Sequence, residues 1–599
     1  MEFSGFLAGN SGFDEKQAPL RLNDATVVCK SGRFALYYAE SAGMSPSPFR
    51  LRFGSGVHES GVVVGWAGRF LCVDGTDLDV PANVTRAFAE TYLHWEQDFW
   101  HHLDGEYAVI IWDPTQETLL LGRDPMGNVP LYYGKTAEHG LVIGSHAGRL
   151  GYQLGALNDL DDDCIVARTY CIPTEPGATC LKRIRAVPAG CMMLYKNSET
   201  RIVRHWRPTP LEARNESEWV ELFRERVQYR VSKVVKSQFN SALSLSGGLD
   251  SSSIMRVASG IAPGRIHAVT YRLPGEPASD ELKFAQAALQ AHDPPLTIHE
   301  DVAHFDIGNL LRLAVEPDCI QRFLTIGTIA DWARRRDVAV VITADFGDMV
   351  GGHDGGWQAM RMPQGNSLER GDLQLVHERR TIKHPLLKSE RARIRARLPK
   401  FVEIARAAQS NYGIKKGTTS IFSKDIRKGT YIGARQFDLA RSWSSVEVPQ
   451  IAALQFVPDQ LLVPSGFVIE AATGVPLYDP FADCELIRIG GSVPWNLRHG
   501  PEGGRVLQRR AMKGLLPDLI RLRQDKSNYS ALYGRLAARA VESSEFQAGS
   551  RHIEYLLHST WQRTSHRAAS APFLVLEAIY RVGLIGAWLQ AQRTGSPTS

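Results

Sequence analysis

The stretch Ala242–Met255 reads ALSLSGGLDSSSIM. Its first residues alternate small and apolar side chains as a short buried strand does, and its last residues begin a helical pattern that continues through RVAS. Between them, Ser246, Gly247 and Gly248 are followed by a lone carboxylate, Asp250, and then by Ser251 and Ser252. A strand that runs through glycines into a helix N-terminus is a cradle for phosphate. The glycines let the backbone approach the anion and turn successive N–H groups toward it. The helix end adds partial positive charge, and the serine hydroxyls donate further hydrogen bonds. The loop has no lysine, so it is not of the G-x-x-x-x-G-K-[ST] type. Asp250 stands in that place, an acceptor that suits phosphates if it holds Mg²⁺. The plainer reading is a helix N-cap after a tight turn, where Ser, Gly and Asp are common.

Outward from this stretch, strands and helices alternate. A helix in ESEWVELFRERVQYRVSKVV precedes it; the strand RIHAVTYRL, the helix SDELKFAQAALQAH and the strand DVAVVITAD follow, with mainly helices to the end. Such alternation implies a parallel sheet wrapped on both faces. Ahead of HWRPTPLEARNESEWV, which reads as a linker, the rhythm is different. ATVVC, RFALYYA, GVVVGWAGRFLCV, EYAVIIWD, TLLLGRD, LYYG, GLVIGS and CMMLYK are short β-type runs, and only ANVTRAFAETYLHWEQDFWHHL reads as helical. The expected organisation is a mostly antiparallel β domain over residues 1–205 and an α/β domain over 206–599. The polar, charged stretch at 352–400 reads as an insertion or lid.

With 599 residues and 44% hydrophobic content, the chain has ample material for large cores. A net charge of +5 is a mild bias that fits phosphates or an acidic peptide. No run of Lys and Arg is interleaved with aromatics, so nucleic acid is not an expected partner. The 8 cysteines form no C-x-x-C pair, which argues against zinc or a thioredoxin-like motif and for reduced thiols in a cytoplasmic setting. No segment approaches a membrane span, and the N-terminal residues do not read as a signal peptide.

In its strand-to-helix setting, S-G-G-L-D-S-S resembles the pyrophosphate loop of N-type ATP pyrophosphatases, which split ATP between the α and β phosphates. Further stretches resemble the asparagine synthetase-like superfamily in particular. DVAVVITADFGDMVGG is similar to its S-G-E-G-x-D-E-L-F-G-G loop, and GVPLYDPFADCELIRIGGSVPWNLR to its R-x-P-F-L-D segment. GGRVLQRRAMKGLLPDLIRLRQDKSNYS is similar to its K-x-x-L-R-x-A…LP…R-x-K run, and AVTYRL with SDELKFAQAAL to its adenine-side strand and following helix. LDGEYAVIIWDPTQETLLLGRDPMGNVPLYYG resembles the class II glutamine amidotransferases. The resemblance therefore spans nearly the whole chain.

It implies an N-terminal antiparallel β-sandwich of the glutaminase (Ntn-like) type and a C-terminal parallel-sheet domain like the adenine nucleotide α-hydrolases, using ATP and Mg²⁺. It carries pyrophosphate binding onto Leu245, Ser246, Gly247, Gly248, Asp250, Ser251 and Ser252. Val269 and Tyr271 would flank the base, with Thr343 and Ala344 at the nucleotide edge. Asp250 and Asp348 would hold Mg²⁺, and Lys526 would offset charge on the pentavalent phosphorus and the later tetrahedral intermediate. Glu470 falls near the family's active-site glutamate, as an amine-deprotonating base. Glu281 reads equally as a family carboxylate and as a helix-start acid favoured by the macrodipole.

One departure bears on the substrate. Class II glutaminases use a cysteine directly after the initiator Met, its α-amine acting as base for its own thiol. Here Glu2, Phe3 and Ser4 occupy that stretch and the nearest cysteine is Cys29, so the glutaminase-like domain is expected to be inactive. Relatives that kept the architecture and take their amine from the substrate are the β-lactam synthetases and the lasso-peptide cyclases. The former place a Tyr where this chain has Asp345, and the charged insertion suits a peptide substrate. The resemblance is thus read as a lasso-peptide cyclase (macrolactam synthetase). That implies a ribosomal precursor peptide, a leader peptidase and a leader-binding protein as partners. A β-lactam synthetase and an ammonia-dependent asparagine synthetase-like amide ligase are the alternatives. Given glutamine alone, the purified protein should release no glutamate in a coupled assay; steady glutamate release would contradict the reading.

Overall fold

The structure, a computed structural model, describes residues 2–351, 463–524 and 573–594, less 9–25, 32, 40–48, 79, 138–139, 170–175, 207–208, 210, 238, 272–280, 301–306 and 318–324. The expected lid at 352–400 and Lys526 lie outside the described residues.

The first part of the chain supplies β1 (Glu2–Leu7), β2 (Thr26–Ser31), β3 (Phe34–Ala39), β4 (Arg52–Val57), β5 (Val63–Val73) and β6 (Thr76–Asp77). After α1 (Pro81–Trp95) come β7 (Leu103–Asp113), β8 (Thr118–Arg123), β9 (Tyr132–Lys135) and β10 (Leu141–Gly144). Helices α2 (Ala147–Gln153) and α3 (Asp162–Thr169) follow, then β11 (Ile184–Ala186), β12 (Cys191–Lys196) and β13 (Glu199–Arg204). Among the described residues these strands form two antiparallel sheets, ordered β11-β9-β10-β1-β3-β2 and β13-β12-β8-β7-β5-β4, with β6 on β5.

The period-two rule explains why β7 reads as an unbroken apolar run. Ala108, Ile110 and Trp112 point between the sheets, toward Phe34 and Leu36 of β3. Tyr107, Val109 and Ile111 point the other way, into a core shared with Val84 and Phe88 of α1. Helix α2 covers the outer side of the first sheet, against β9, β10 and β11. The result is a helix–sheet–sheet–helix stack.

One expected element differs. The helix read through FWHHL stops at Trp95, where Glu96 takes a left-handed φ of 48°, and a 3₁₀ turn carries Glu96–His102. That turn swings Phe99 and Trp100 into the core, a burial that outweighs continued helical hydrogen bonding.

Helix α4 (Glu216–Val235) opens the second part, with Asn215 Oδ1 accepting the Glu218 N–H at 3.0 Å as its cap. Then follow β14 (Ser241–Ser244), α5 (Leu249–Ile261), β15 (Ile266–Tyr271), α6 (Leu282–Ala288) and β16 (Thr297–His299). Next are α7 (Ile307–Leu313), α8 (Ile326–Arg334), β17 (Val340–Ile342) and α9 (Gly347–Val350). The last described elements used here are α10 (Val463–Thr473), β18 (Leu477–Tyr478), α11 (Cys484–Ser492), α12 (Val506–Ala511) and α13 (Phe573–Thr594).

The sheet order is β16-β15-β14-β17-β18, and every pairing is parallel. Side chains alternate here too. Ala242, Val269 and Val341 face α7, α8, α10 and α13, while Leu243, Ala268, Val340 and Ile342 face α4, α5 and α11. The chain leaves the central strand β14 toward β15 and β16 on one side and returns as β17 and β18 on the other. Ligands of open parallel sheets sit at such a switch point, beyond the carboxyl ends of the strands.

The long helix α13 ties the two parts together. Its Trp588 Nε1–H donates to the Ala314 carbonyl at 2.8 Å, Gln592 Nε2 donates to the Leu311 carbonyl at 3.0 Å, and the helix packs on α2, α3 and α7.

Two glycines test this packing. A Cβ on Gly122 of β8 would lie 2.1 Å from the Trp100 ring, whose Nε1–H is directed at Met192 Sδ. Gly122→Ala should therefore destabilise the protein by about 1–3 kcal/mol. A Cβ on Gly260 in α5 meets nothing within 4 Å, so Gly260→Ala should be neutral or stabilise by up to about 1 kcal/mol. Thermal melting of both variants checks the pair.

Candidate active site

Strand β14 stops at Ser244, and Ser246–Gly248 bridge it to α5. Gly247 takes φ +73°, and a Cβ there would sit 2.6 Å from the Ala285 backbone nitrogen. Only glycine allows this turn so close to α6. The loop is drawn tight by its own serines. Ser246 N–H donates to Ser251 Oγ at 3.2 Å, the two hydroxyls lie 3.1 Å apart, and Gly248 N–H reaches Ser246 Oγ at 3.3 Å. Ser252 Oγ is buried with no hydrogen-bond partner among the described residues. An orphaned hydroxyl in the first turn of a helix, behind a glycine cradle, fits an anion's oxygen.

Asp250 and Asp348 come from the first turns of α5 and α9, the helices that follow β14 and β17, and they converge. A single nitrogen, Arg505 Nη1, lies 2.8 and 2.7 Å from the two oxygens of Asp250 and 2.7 Å from Asp348 Oδ1. Gln508 Nε2 donates to Asp250 Oδ1 at 2.8 Å. A Cβ on Gly347 would fall 2.4 Å from Asp250 Cγ, so glycine is what lets the second loop close on the first. Burial works against the charge of Arg505, yet Asp250 and Asp348 outweigh it and hold the guanidinium above the ordinary arginine range.

Two carboxylates that share one cation fit the way Mg²⁺ is held beside phosphates, through one or two protein carboxylates with the remaining positions left to phosphate and water.

The other expected residues take these positions. Leu245 is buried, and its N–H donates to the Val269 carbonyl at 2.8 Å; the Val269 side chain lies in the core. Tyr271, at the end of β15, donates its hydroxyl to the Thr325 carbonyl. Thr343 N–H donates to the Tyr478 carbonyl at 2.9 Å, and Ala344 is half-buried beside it. Glu281 is buried and paired with Arg523 Nη1 at 3.0 Å, which joins two of the motif stretches.

Glu470 is carried by α10 and faces the N-terminal domain, where its Oε1 accepts the Leu51 N–H at 3.2 Å. It lines a small, partly open cavity between the two domains, together with Arg69, Glu106, Asn128, Asp345, Phe467 and Asp479. Asp345 and Phe346 directly precede α9, which carries Asp348, so one segment serves both the cavity and the cation seat. Burial raises the Glu470 carboxyl, against Arg69, the Leu51 N–H and Arg50. Burial and the Asp345 charge push Asp479 up to about 7, although it accepts N–H groups from Asp345 at 2.6 Å, Phe346 at 3.1 Å and Phe481 at 2.9 Å.

Three of these groups escape a sequence reading. Arg505 and Gln508 are two polar residues among many in GGRVLQRRAMK. Only the left-handed backbone of Arg505, φ +64°, aims its side chain across at Asp250. Asp479 stood within the quoted LYDPFAD, and its signal was an acid set between a buried Tyr and a Pro.

A switch-point glycine loop, paired carboxylates and an interdomain cavity define a nucleotide-dependent enzyme of the α/β class. The Asparagine synthase family profile matches residues 222–568, and the chain belongs to that family, ATP-dependent ligases that form amide bonds. The Glutamine amidotransferase domain profile matches residues 83–206. The chain is 22% identical to Asparagine synthetase [glutamine-hydrolyzing] 3 of Bacillus subtilis, over 74% of this chain and 70% of that one. It is also 22% identical to Amidase chyE of Penicillium rubens, over 46% of this chain and 45% of that one. The glutamine phosphoribosylpyrophosphate amidotransferase structure from B. subtilis superposes over 51% of this chain and 83% of that one at TM-score 0.23 and 10% identity, too loosely to inform the fold.

Ser252→Ala removes the orphaned hydroxyl. It should leave melting temperature unchanged or raised, because a buried unsatisfied group is relieved, while weakening ATP binding about tenfold. Thermal shift with and without Mg·ATP reads both effects.

Proposed function

We propose that this enzyme is a macrolactam synthetase of the lasso-peptide cyclase kind. It would adenylate an Asp or Glu side chain of a precursor peptide, then join that acyl group to the peptide's own N-terminal amine, releasing AMP and pyrophosphate. The observation that carries this reading is the charge of the interdomain cavity. Asp345, Glu470, Asp479 and Glu106 face it, against Arg69, which Glu106 already pairs at 2.6 Å, Arg230, 4.0 Å from Glu106, and Arg50, 3.9 Å from Glu470. Burial raises the Glu470 and Asp479 carboxyls, and an incoming ammonium would bring them a partner of opposite charge. A substrate-borne amine meets this need.

In the proposed reaction, Ser246, Gly247, Gly248, Ser251 and Ser252 grip the departing pyrophosphate, leaving the α-phosphorus open to in-line attack by the acceptor carboxylate. Asp250 and Asp348 hold Mg²⁺, which neutralises charge that builds on the phosphates. Lys526 offsets the same charge, and Glu470 takes a proton from the ammonium, freeing the neutral amine to attack the acyl carbon as AMP leaves. Holding both ends of one peptide in a single cavity makes ring closure a matter of proximity, which can supply about 7–11 kcal/mol of the barrier. The N-terminal domain walls off one side of the cavity, which keeps water from the adenylate. A leader peptidase and a leader-binding protein are the proposed partners.

The test is a direct comparison of substrates with Mg·ATP. A leader-free peptide with a free N-terminus and an internal Asp or Glu should lose the mass of one water while AMP and pyrophosphate accumulate, and its N-acetylated form should stay linear. Asparagine formed from aspartate and ammonium, with the peptide inert, would overturn the reading in favour of an ammonia-dependent amide ligase.

A further inference from the structure

The geometry points to Arg505 as a resident counter-cation that occupies the seat between Asp250 and Asp348 and must give it up when metal and nucleotide arrive. This rests on the reading of those two carboxylates as the metal ligands.

The seat cannot hold both cations. All three short contacts run through one atom, Arg505 Nη1, at 2.7–2.8 Å from Asp250 and Asp348. A divalent ion bridging the same oxygens would lie within contact distance of that nitrogen, with like charge. The guanidinium side chain is 12% exposed and Asp250 14%, so their attraction is little screened by water. Asp348 is 32% exposed, but losing the ion pair at Asp250 without a replacement cation would cost the buried carboxylate its closest charge partner. Arg505 therefore does in the free enzyme what the metal does in the loaded one.

The local backbone is built for exchange. Arg505 sits in the left-handed region at φ +64°, ψ +40°, directly before α12, and Gly503, at φ +90°, and Gly504 precede it. A non-glycine residue held there is disfavoured, so releasing the side chain from its ion pairs also gives the backbone a reason to move. Gln508, one turn along α12, keeps its own hydrogen bond to Asp250 and holds that carboxylate in place when the arginine leaves. A guanidinium released beside a polyphosphate finds the partner its forked donors suit best. Metal entry and phosphate clamping then become one coupled step. The enzyme accepts the metal only weakly without the nucleotide, because the nucleotide is what offers Arg505 a second anion.

Direct Mn²⁺ binding, followed by titration calorimetry and electron paramagnetic resonance, tests this on the full chain. Wild type should bind Mn²⁺ weakly without nucleotide and tightly with ATP. Arg505→Met should bind Mn²⁺ without nucleotide at least about tenfold more tightly than wild type, and lose that gain in Arg505→Met/Asp348→Asn. The single variant should also melt at a lower temperature than wild type and be restored by Mg²⁺ alone. Should Arg505→Met not fold without metal, folding on addition of Mg²⁺ supports the exchange, and Arg505→Lys should show a smaller gain in Mn²⁺ affinity. Nucleotide-free Mn²⁺ affinity equal in wild type and in both variants would overturn the exchange while leaving the metal ligands standing. Absence of Mn²⁺ binding in every form, with ATP present, would overturn the exchange and the metal reading together.

Discussion

Two carboxylates from different strand ends have to be held within reach of one positive charge, and much of the second domain follows from that constraint. Asp250 and Asp348 are brought together only because β14 and β17 are adjacent parallel strands whose following loops leave the sheet at the same edge. Gly347 allows the approach, and the buried apolar strands fix the register that aligns the two loops. A parallel sheet covered on both faces tolerates little slippage, because a shift by one residue would turn Leu243 and Val340 to the opposite core. The rigidity of the core is thus what gives the cleft its geometry.

The N-terminal domain contributes more than its resemblance to glutaminases implies. Its Arg69 is fully committed: Nε pairs with Glu106, Nη1 donates to the Phe49 carbonyl at 2.9 Å, and Nη2 donates to the Leu477 carbonyl of β18 at 2.7 Å. Leu51 donates its N–H to Glu470 from the same side. Together with the shared core under α13, these contacts make the domain a fixed wall of the cavity. Buried Arg168 also pairs with buried Glu316 across the two domains, and separating them would leave both charges uncompensated.

Much of this was legible in the sequence, for identifiable reasons. The eight β-type runs of the first half and the alternation of the second half carry periodicities that single residues cannot disguise, and the glycine loop is punctuated by the residue types its geometry requires. What escaped notice was set by tertiary pairing. Strands β16 and β18 are 3 and 2 residues long and exist because a neighbouring strand edge recruits them. Arg505 became visible only once a left-handed backbone angle aimed it at a carboxylate 255 positions away. Asp479, within a quoted motif but given no role of its own, is the acceptor that knots the loop of Asp345 and Phe346.

The central claim is that an acid group is activated by transfer of AMP to it at the switch point of the parallel sheet. Labelling the acceptor carboxylate of a leader-free peptide with oxygen-18 tests it most directly, because attack on the α-phosphorus leaves one of its oxygens on the nucleotide. Mass spectrometry should find a single heavy oxygen in AMP and none in pyrophosphate. Unlabelled AMP alongside ring product, or heavy orthophosphate released with ADP, would contradict it.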